Sequence, residues 1–306
     1  MAFDPNIKDN LILEREQNKS RFLVPLLVLL VGAIIAVIIF YSFAPRKGRF
    51  KTKDAAVGGK PVASAKENLR VISTIKIMIA SNNFALARQR CYELLENNSD
   101  PAILNETEKI LGQINMNLLL SPAPMPEKME YIVKSGDVLE RLARKYGTTV
   151  ALIQKCNSLR GQMIHPGDRL RIFNAKLAII ISKSRNDLLL KANNKFFKRY
   201  VVGTGKFGTT PVGTFKISDK ISEPPWWRPD GKMIPFGDKE NVLGTRWMSL
   251  TATGETPKLR GYGIHGTWEQ DTIGRQASAG CVRLVNSDVE ELFMIVPVRT
   301  SVTIVE

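Results

Sequence analysis

Histidine and cysteine are scarce in this chain of 306 residues, with two of the first and three of the second. No metal-ligand cluster can be assembled from them and no glycine-rich nucleotide loop is present, so neither a metal nor a cofactor is expected. Three cysteines form at most one disulfide. Cys91 and Cys156 fall in separate predicted domains, so no bridge is expected between them. Nucleic-acid motifs are lacking as well. The formal charge of +15 is spread along the chain and does not concentrate in one folded helix or loop. That distribution suits a polyanionic envelope or solubility alone, and no nucleic-acid partner is expected.

Charge of either sign is missing between Arg21 and Arg46. The apolar run from Phe22 to Tyr41 would span about 30 Å as a helix, enough to cross a bilayer core. Tyr41 and Phe43 stand where interfacial aromatics belong. A cleaved signal peptide would carry a shorter core, roughly 7–15 residues, and Pro45 follows the cleavage-like Ser42-Phe-Ala44. Residues 22–45 therefore read as a retained transmembrane anchor, with the membrane as partner. Lys8, Arg15, Lys19 and Arg21 precede it, and Arg46, Lys47, Arg49, Lys51 and Lys53 follow. Counting these charges leans toward a cytoplasmic C-terminus; the chemistry below argues for the other side.

Residues 46–62 lack periodic apolar positions and read as a flexible basic linker. From 63 to 120 the apolar period becomes helical. Leu69, Ile72, Ile75 and Ile79 form one stripe, and Phe84, Ala87, Cys91 and Leu94 a second. Ile110, Ile114 and Leu118 form a third. Residues 97–101, Asn-Asn-Ser-Asp-Pro, separate the second helix from the third. One unit resembles a tetratricopeptide repeat, and the segment is expected to be a helical spacer with Cys91 as a small buried hydrophobe. The proline-rich stretch 121–126 reads as a hinge. Beyond it, Tyr131 to Phe173 reads as strand, helix, helix, strand. Asp137 is a candidate cap for the first of these helices, and Thr148 or Thr149 for the second.

The C-terminal part alternates and turns like a β-rich domain, with strands expected at 177–182, 188–191, 198–202, 213–217, 246–250 and 300–305. Ser287-Asp-Val-Glu290 is a capping-box pattern opening a helix to about 296. His265 and Cys281 stand sixteen positions apart in a stretch rich in glycine. A thiol nucleophile needs a base and backbone donors for the oxyanion. His265, flanked by Gly263 and Gly266, and Cys281, following Gly280, meet those needs. Amides of Gly280 and Cys281 could hold the oxyanion. Arg283 would share a strand face with Cys281, where it could lower the thiol pKa or bind a carboxylate. By spacing alone, a structural reading of the pair is as good as a catalytic one. The run from Glu223 to Gly237 is too long for a tight turn. Its Trp226-Trp227 pair suits either a substrate wall or a local core.

Two resemblances separate these alternatives. Tyr131-x-Val-x-x-Gly-Asp137, then Ala143-x-x-Tyr-Gly147, then Pro166-Gly-x-x-Leu170 resembles a LysM domain over 130–174. Such domains bind glycans containing N-acetylglucosamine. The resemblance implies a sugar groove between Ser135, Gly136 and Asp137 on one loop and Ile164, His165, Pro166 and Gly167 on the other. His265-Gly-Thr267, Ile273-Gly274 and Ser278-x-Gly-Cys-Val-Arg-Leu284, with Val202-Gly-Thr-Gly205 and Thr210-Pro-Val-Gly-Thr-Phe-Lys-Ile217 upstream, resembles the YkuD-type L,D-transpeptidase family over 175–306. By that resemblance Cys281 is the nucleophile and His265 its base. Gly280 supplies oxyanion geometry, Ser278 and Arg283 shape the site, and Gly266 and Thr267 line it. Ala279 stands where many members carry histidine.

The expected architecture is mixed: a transmembrane helix, an α-helical spacer, a βααβ LysM domain and a mostly-β catalytic domain. The expected activity is cross-linking of peptidoglycan stem peptides through a cysteine thioester, outside the cytoplasmic membrane. The same thioester could pass to water, as in an L,D-carboxypeptidase, or to a protein amine, attaching a lipoprotein to the wall. A glycan-binding tether without catalysis is the remaining alternative.

Overall fold

Three helices come first: α1 (Ala65–Ala80), α2 (Phe84–Asn97) and α3 (Pro101–Leu120). The computed structural model describes residues 65–258 and 260–306. The expected anchor at 22–45 and the basic linker at 46–62 lie outside the described residues. Among the described residues no helix is long and apolar enough to cross a membrane. Each break between the helices has a local cause. Asn83 caps α2 by accepting from the Leu86 amide, and Asp100 caps α3 by accepting from Ala102, with Pro101 in the first helical turn. The stripe on α1 is rotated from the expected one. Asn68, Ile72 and Ile75 are buried, whereas Leu69 points to solvent.

The helices do not stand off as a spacer. Cys91, Leu111, Ile114 and Leu119 share one continuous core with Phe197, Ile179 and Leu250 of the C-terminal domain. Tyr92 and Asn115 donate to the Phe196 and Phe197 carbonyls at 2.8 Å each, and Arg199 grips Glu108 with two guanidinium nitrogens at 2.7 and 2.8 Å. Periodicity marks which face of a helix is buried but not what covers it.

The next module pairs β1 (Lys128–Ile132) antiparallel with β2 (Arg169–Phe173), Tyr131 opposite Leu170. Between them lie α4 (Leu139–Tyr146) and α5 (Val150–Asn157). Thr149 caps α5, as one of the two expected threonines. Asp137 does not cap α4, whose first turn has no side-chain cap. Its carboxylate instead accepts from Tyr131 and from the Lys134 amide. The module has a small core of its own, including Leu139, Leu142, Ile153 and Ile172, while Leu152, Cys156 and Phe173 join the large one. The proline-rich stretch is pinned: Met125 is buried, and Lys128 Nζ donates to the Leu118 and Ser121 carbonyls at 2.6 and 2.8 Å.

The remaining strands are β3 (Leu177–Ser182), β4 (Asp187–Ala192), β5 (Lys195–Val201), β6 (Thr204–Gly205), β7 (Gly213–Ser222), β8 (Trp226–Trp227) and β9 (Met233–Ile234). They continue through β10 (Arg246–Ala252), β11 (Gly263–Thr267), β12 (Gln276–Ser278), β13 (Val282–Val285) and β14 (Ser301–Val305). Eight of them form one sheet in the order β13-β11-β10-β7-β14-β3-β4-β5. The pairs β11–β13 and β14–β3 are parallel, and the others antiparallel. A parallel neighbour needs a crossover. Between β11 and β13 it is the 268–281 segment, which carries β12. Helix α6 (Asn286–Ile295) follows β13, leads toward β14 and buries Val289, Leu292 and Ile295. Its helical conformation begins at Asn286, so Ser287 lies inside the helix and the expected capping box is absent.

Candidate active site

Strand β11 is buried at all five positions, and its glycines explain how it fits. A Cβ at Gly263 would come within 2.6 Å of the Trp247 ring, and one at Gly266 within 2.2 Å of Asn286 Oδ1 on the α6 side. Trp247 pairs with His265 across β10 and β11, and the two rings stack with centroids 5.5 Å apart. His265 pairs in turn with Arg283 on β13. Register therefore places His265 and Arg283 on one face, and Cys281 stands in the bend just ahead of β13, two residues before Arg283. Extended strand spacing would set the Cα atoms of His265 and Cys281 about 8 Å apart.

The imidazole is 2% exposed, and its Nδ1 lies 2.6 Å from the Gly266 carbonyl. A carbonyl only accepts, so the proton resides on Nδ1 and Nε2 is the basic nitrogen. This carbonyl is the orienting group that sequence reasoning could not name. Burial pushes the His265 pKa down to about 4; the Gly266 carbonyl opposes, the Arg283 charge lowers it further, and the Leu243 carbonyl opposes again. Burial also raises the half-buried Cys281 thiol, against smaller lowering by the Gly263 amide and the Arg283 charge. The thiol donates to the Gly261 carbonyl at 3.6 Å. The resting pair is thus neutral thiol and neutral imidazole. Alkylation of Cys281 by iodoacetamide will keep climbing with pH through the alkaline range, without a plateau near neutrality. A plateau below neutrality would instead reveal a preformed thiolate. Cys91 and Cys156, free and raised by burial to about 12 and 11, will stay silent in this assay.

The turn carrying the thiol is braced from two sides. Ser278 Oγ accepts from the Gly280 amide at 3.0 Å and donates to the Cys281 carbonyl at 2.6 Å. Thr210 donates to the Gly280 carbonyl at 2.9 Å and accepts from the Gly205 amide at 2.8 Å. Gly280 has φ +145°, and a Cβ there would meet the Tyr262 ring at 2.8 Å. Its amide, expected as an oxyanion donor, is therefore occupied by Ser278. The Cys281 amide makes no hydrogen bond among the described residues.

Arg283 Nη1 donates to Glu269 at 2.9 Å, and its buried Nε has no partner. Gly266 and Thr267, expected to line the site, are buried instead. Gly266 backs onto α6, and Thr267 Oγ1 accepts from the Glu269 amide. A cleft of about 410 Å³ is lined by Trp247, Arg260, Gly261 and Tyr262 among others, and the Gly261 carbonyl at its wall accepts from the Cys281 thiol. Trp226 and Trp227 form a short antiparallel ribbon with Met233 and Ile234, so the long run does contain a hairpin. Buried Asn241 closes its base, donating to the Pro224, Ile234 and Pro235 carbonyls. Trp227 is 68% exposed and fills no core. Trp247 and Tyr262 escaped sequence reasoning, and Thr210 and Leu243 lie in stretches that resemble the family without their roles being readable, because only the fold brings them to the site.

In the smaller module, the two loops expected to hold sugar are adjacent. The Val133 amide donates to the Asp168 carbonyl at 2.8 Å, and the Gly167 amide donates to the Val133 carbonyl at 2.9 Å. Ser135, Gly136, His165, Pro166 and Gly167 are exposed, Asp137 is half-buried, and Ile164 packs partly against the local core. His165 and Cys281 are not brought together. Cys156 is buried and donates to the Leu119 carbonyl at 3.2 Å.

This sheet, with an imidazole on β11 and a thiol just ahead of the parallel β13, is the arrangement of the L,D-transpeptidase class. The profile of the L,D-transpeptidase catalytic domain, YkuD, matches residues 176–304, and that of the LysM domain matches 131–173. YkuD of Bacillus subtilis, named as an L,D-transpeptidase, is 34% identical over 183 residues, covering 58% of this chain and 98% of that protein. YqjB of the same organism, also so named, is 38% identical over 129 residues, covering 42% of this chain and 70% of it. A solved L,D-transpeptidase from Mycobacterium smegmatis aligns at 18% identity with a TM-score of 0.34, over 46% of this chain and 64% of that one. The chain belongs to the L,D-transpeptidase family, with a LysM domain before its catalytic domain.

Proposed function

We propose that this protein cross-links peptidoglycan stem peptides through a Cys281 thioester. It would be anchored in the cytoplasmic membrane by residues 22–45 and work on the outer side, with its LysM loops gripping the glycan. The observation that carries this reading is the register of His265 with Arg283, two residues after Cys281, with Nδ1 tied to the Gly266 carbonyl and Nε2 left as the base. In the first half-reaction, Sγ attacks the carbonyl that follows an L-centre of the donor stem while Nε2 takes the thiol proton. The Cys281 amide donates to the oxyanion. Collapse breaks the peptide bond, and the imidazolium returns its proton to the departing D-alanine amine. In the second half-reaction an acceptor amine attacks the thioester, gives its proton to Nε2, and releases the thiol. Arg283 and the cleft beside Tyr262 are suited to hold a stem carboxylate.

Mass analysis of muropeptides after incubation with the purified protein tests this reading. The expected products are cross-linked dimers with free D-alanine. Shortened monomers alone would make water the acceptor, and unchanged muropeptides would leave only a glycan tether. Sidedness is read from a cysteine placed at Ala55. It should react with an impermeant reagent in intact cells, and labelling only after lysis would put the domain in the cytoplasm.

A further inference from the structure

Away from the thiol, a cavity of about 1190 Å³ opens where the LysM domain meets the catalytic sheet. Its walls come from α4 and the turn after it, the 174–177 crossing, Lys220 of β7, and residues 297–301 ahead of and entering β14. Five cations line it, namely Arg144, Lys145, Lys176, Lys220 and Arg299, against one carboxylate, Glu140. Among the described residues none of the five is in an ion pair. Neither the glycan loops at 135–137 and 164–167 nor the thiol site contributes to these walls.

Three details mark the cavity as more than a crevice. Lys220 sits deep, its ammonium donating to the Phe293 and Val296 carbonyls, and burial pulls its pKa down to about 8. Thr148, 4% exposed, has a buried hydroxyl without a hydrogen-bond partner in the lining. Arg299 holds φ at +72°, a conformation that glycine adopts freely and arginine does not. Five cations gathered around one cavity with a single carboxylate repel one another, so the cluster adds nothing to stability. Guanidinium forks and ammonium points gathered in this way are what phosphate oxygens require.

We propose that this cavity binds a phosphate-bearing polyanion, a chain with one phosphodiester per repeat. The surplus of four positive charges exceeds what a lone carboxylate neutralises, while successive phosphates would match cations distributed along the walls. Ala143, Tyr146, Leu177 and Pro297 supply apolar surface for the carbons between phosphates. The binding is independent of what Cys281 does. It gives the protein a second hold on an anionic polymer beside the one it modifies.

The test is calorimetric titration of the full-length chain in detergent with sodium tripolyphosphate. The triple variant Arg144→Gln, Lys176→Gln, Arg299→Gly should bind about tenfold or more weakly and with a shallower salt dependence. Glycine at 299 suits the backbone there, so folding is spared. A control variant at exposed cations outside the cavity, Lys134→Gln, Arg160→Gln, Lys239→Gln, should bind like the wild type. The basic stretch at 46–62 contributes the same background to all three proteins. Equal weakening in both variants, or no binding by the wild type, would overturn the site. Poly-L-glutamate of matched charge should bind about tenfold less tightly than tripolyphosphate, and equal binding would overturn the assignment to phosphate.

Discussion

Alanine at Cys281 will leave no thioester and no transferred peptide, and glutamine at His265 will slow acylation by about 10²–10⁴-fold. Both follow from one geometry. The thiol is held protonated by burial, so its attack depends on a base that removes the proton as the bond to carbon forms. In the proposed mechanism His265 is that base, with Nδ1 tied to a carbonyl and Nε2 carrying the lone pair. The ring stacks on Trp247 inside the sheet, so the loss should fall on kcat more than on KM. Rates of acyl-enzyme formation by intact-protein mass spectrometry would check this. A His265→Gln rate within about threefold of wild type would remove the histidine from the mechanism.

The same substitution should alter acid stability. His265 titrates at about 4 in the fold, against 6.5 for an imidazole free in water. Between those values the unfolded chain binds a proton that the native state refuses. The wild type therefore loses up to about 3 kcal/mol as pH falls from 6.5 toward 4, and the glutamine variant escapes that loss. Urea midpoints measured across this window for both proteins report the difference.

Glu127→Ala will destabilise the protein by about 3–5 kcal/mol without touching the thiol site. Arg88 and Glu127 are each 6% exposed and meet at 2.7 Å. Arg88 also donates to Asn115 at 2.6 Å and to Tyr92 at 3.2 Å, and both of those residues donate in turn to carbonyls of β5. Removing the carboxylate strands a guanidinium charge in the joint between the helices, the sheet and the start of the LysM domain. The double variant Arg88→Met, Glu127→Leu removes both charges and should recover most of the loss. Denaturation of the single and double variants measures the coupling. A single-variant cost under about 1 kcal/mol would show that water reaches the pair.

Strands with ordinary alternation are legible from sequence: β3 has the bounds expected of it, and β4, β7 and β10 lie within a few residues of theirs. Strand β11 is not, because Gly263 and Gly266 remove the alternating side chains that announce a strand, and because both its faces are covered. The short β13 is legible only as the extended stretch around Arg283, and it starts at Val282, leaving Cys281 outside it. Histidine and thiol can be named from their motif, yet their supports cannot. Trp247 reaches the imidazole from eighteen positions upstream, and Thr210 reaches Gly280 across seventy. The occupied Gly280 amide shows the limit of motif reading. A residue type tells which backbone conformation is allowed, whereas Ser278 decides where the N–H goes. The docking of α1 to α3 on the sheet edge is equally hidden, since an apolar stripe carries no address.

Because Leu152, Cys156 and Phe173 sit in the same core as the catalytic strands, the interval between the LysM loops and Cys281 is a fixed length. A catalyst on a slack tether would sample every side branch within its radius. A rigid pair works as a ruler, meeting branches only at a set phase along a helically wound strand. On any polymer gripped by those loops, spacing of the modified positions would then be quantised by the pitch of the polymer itself.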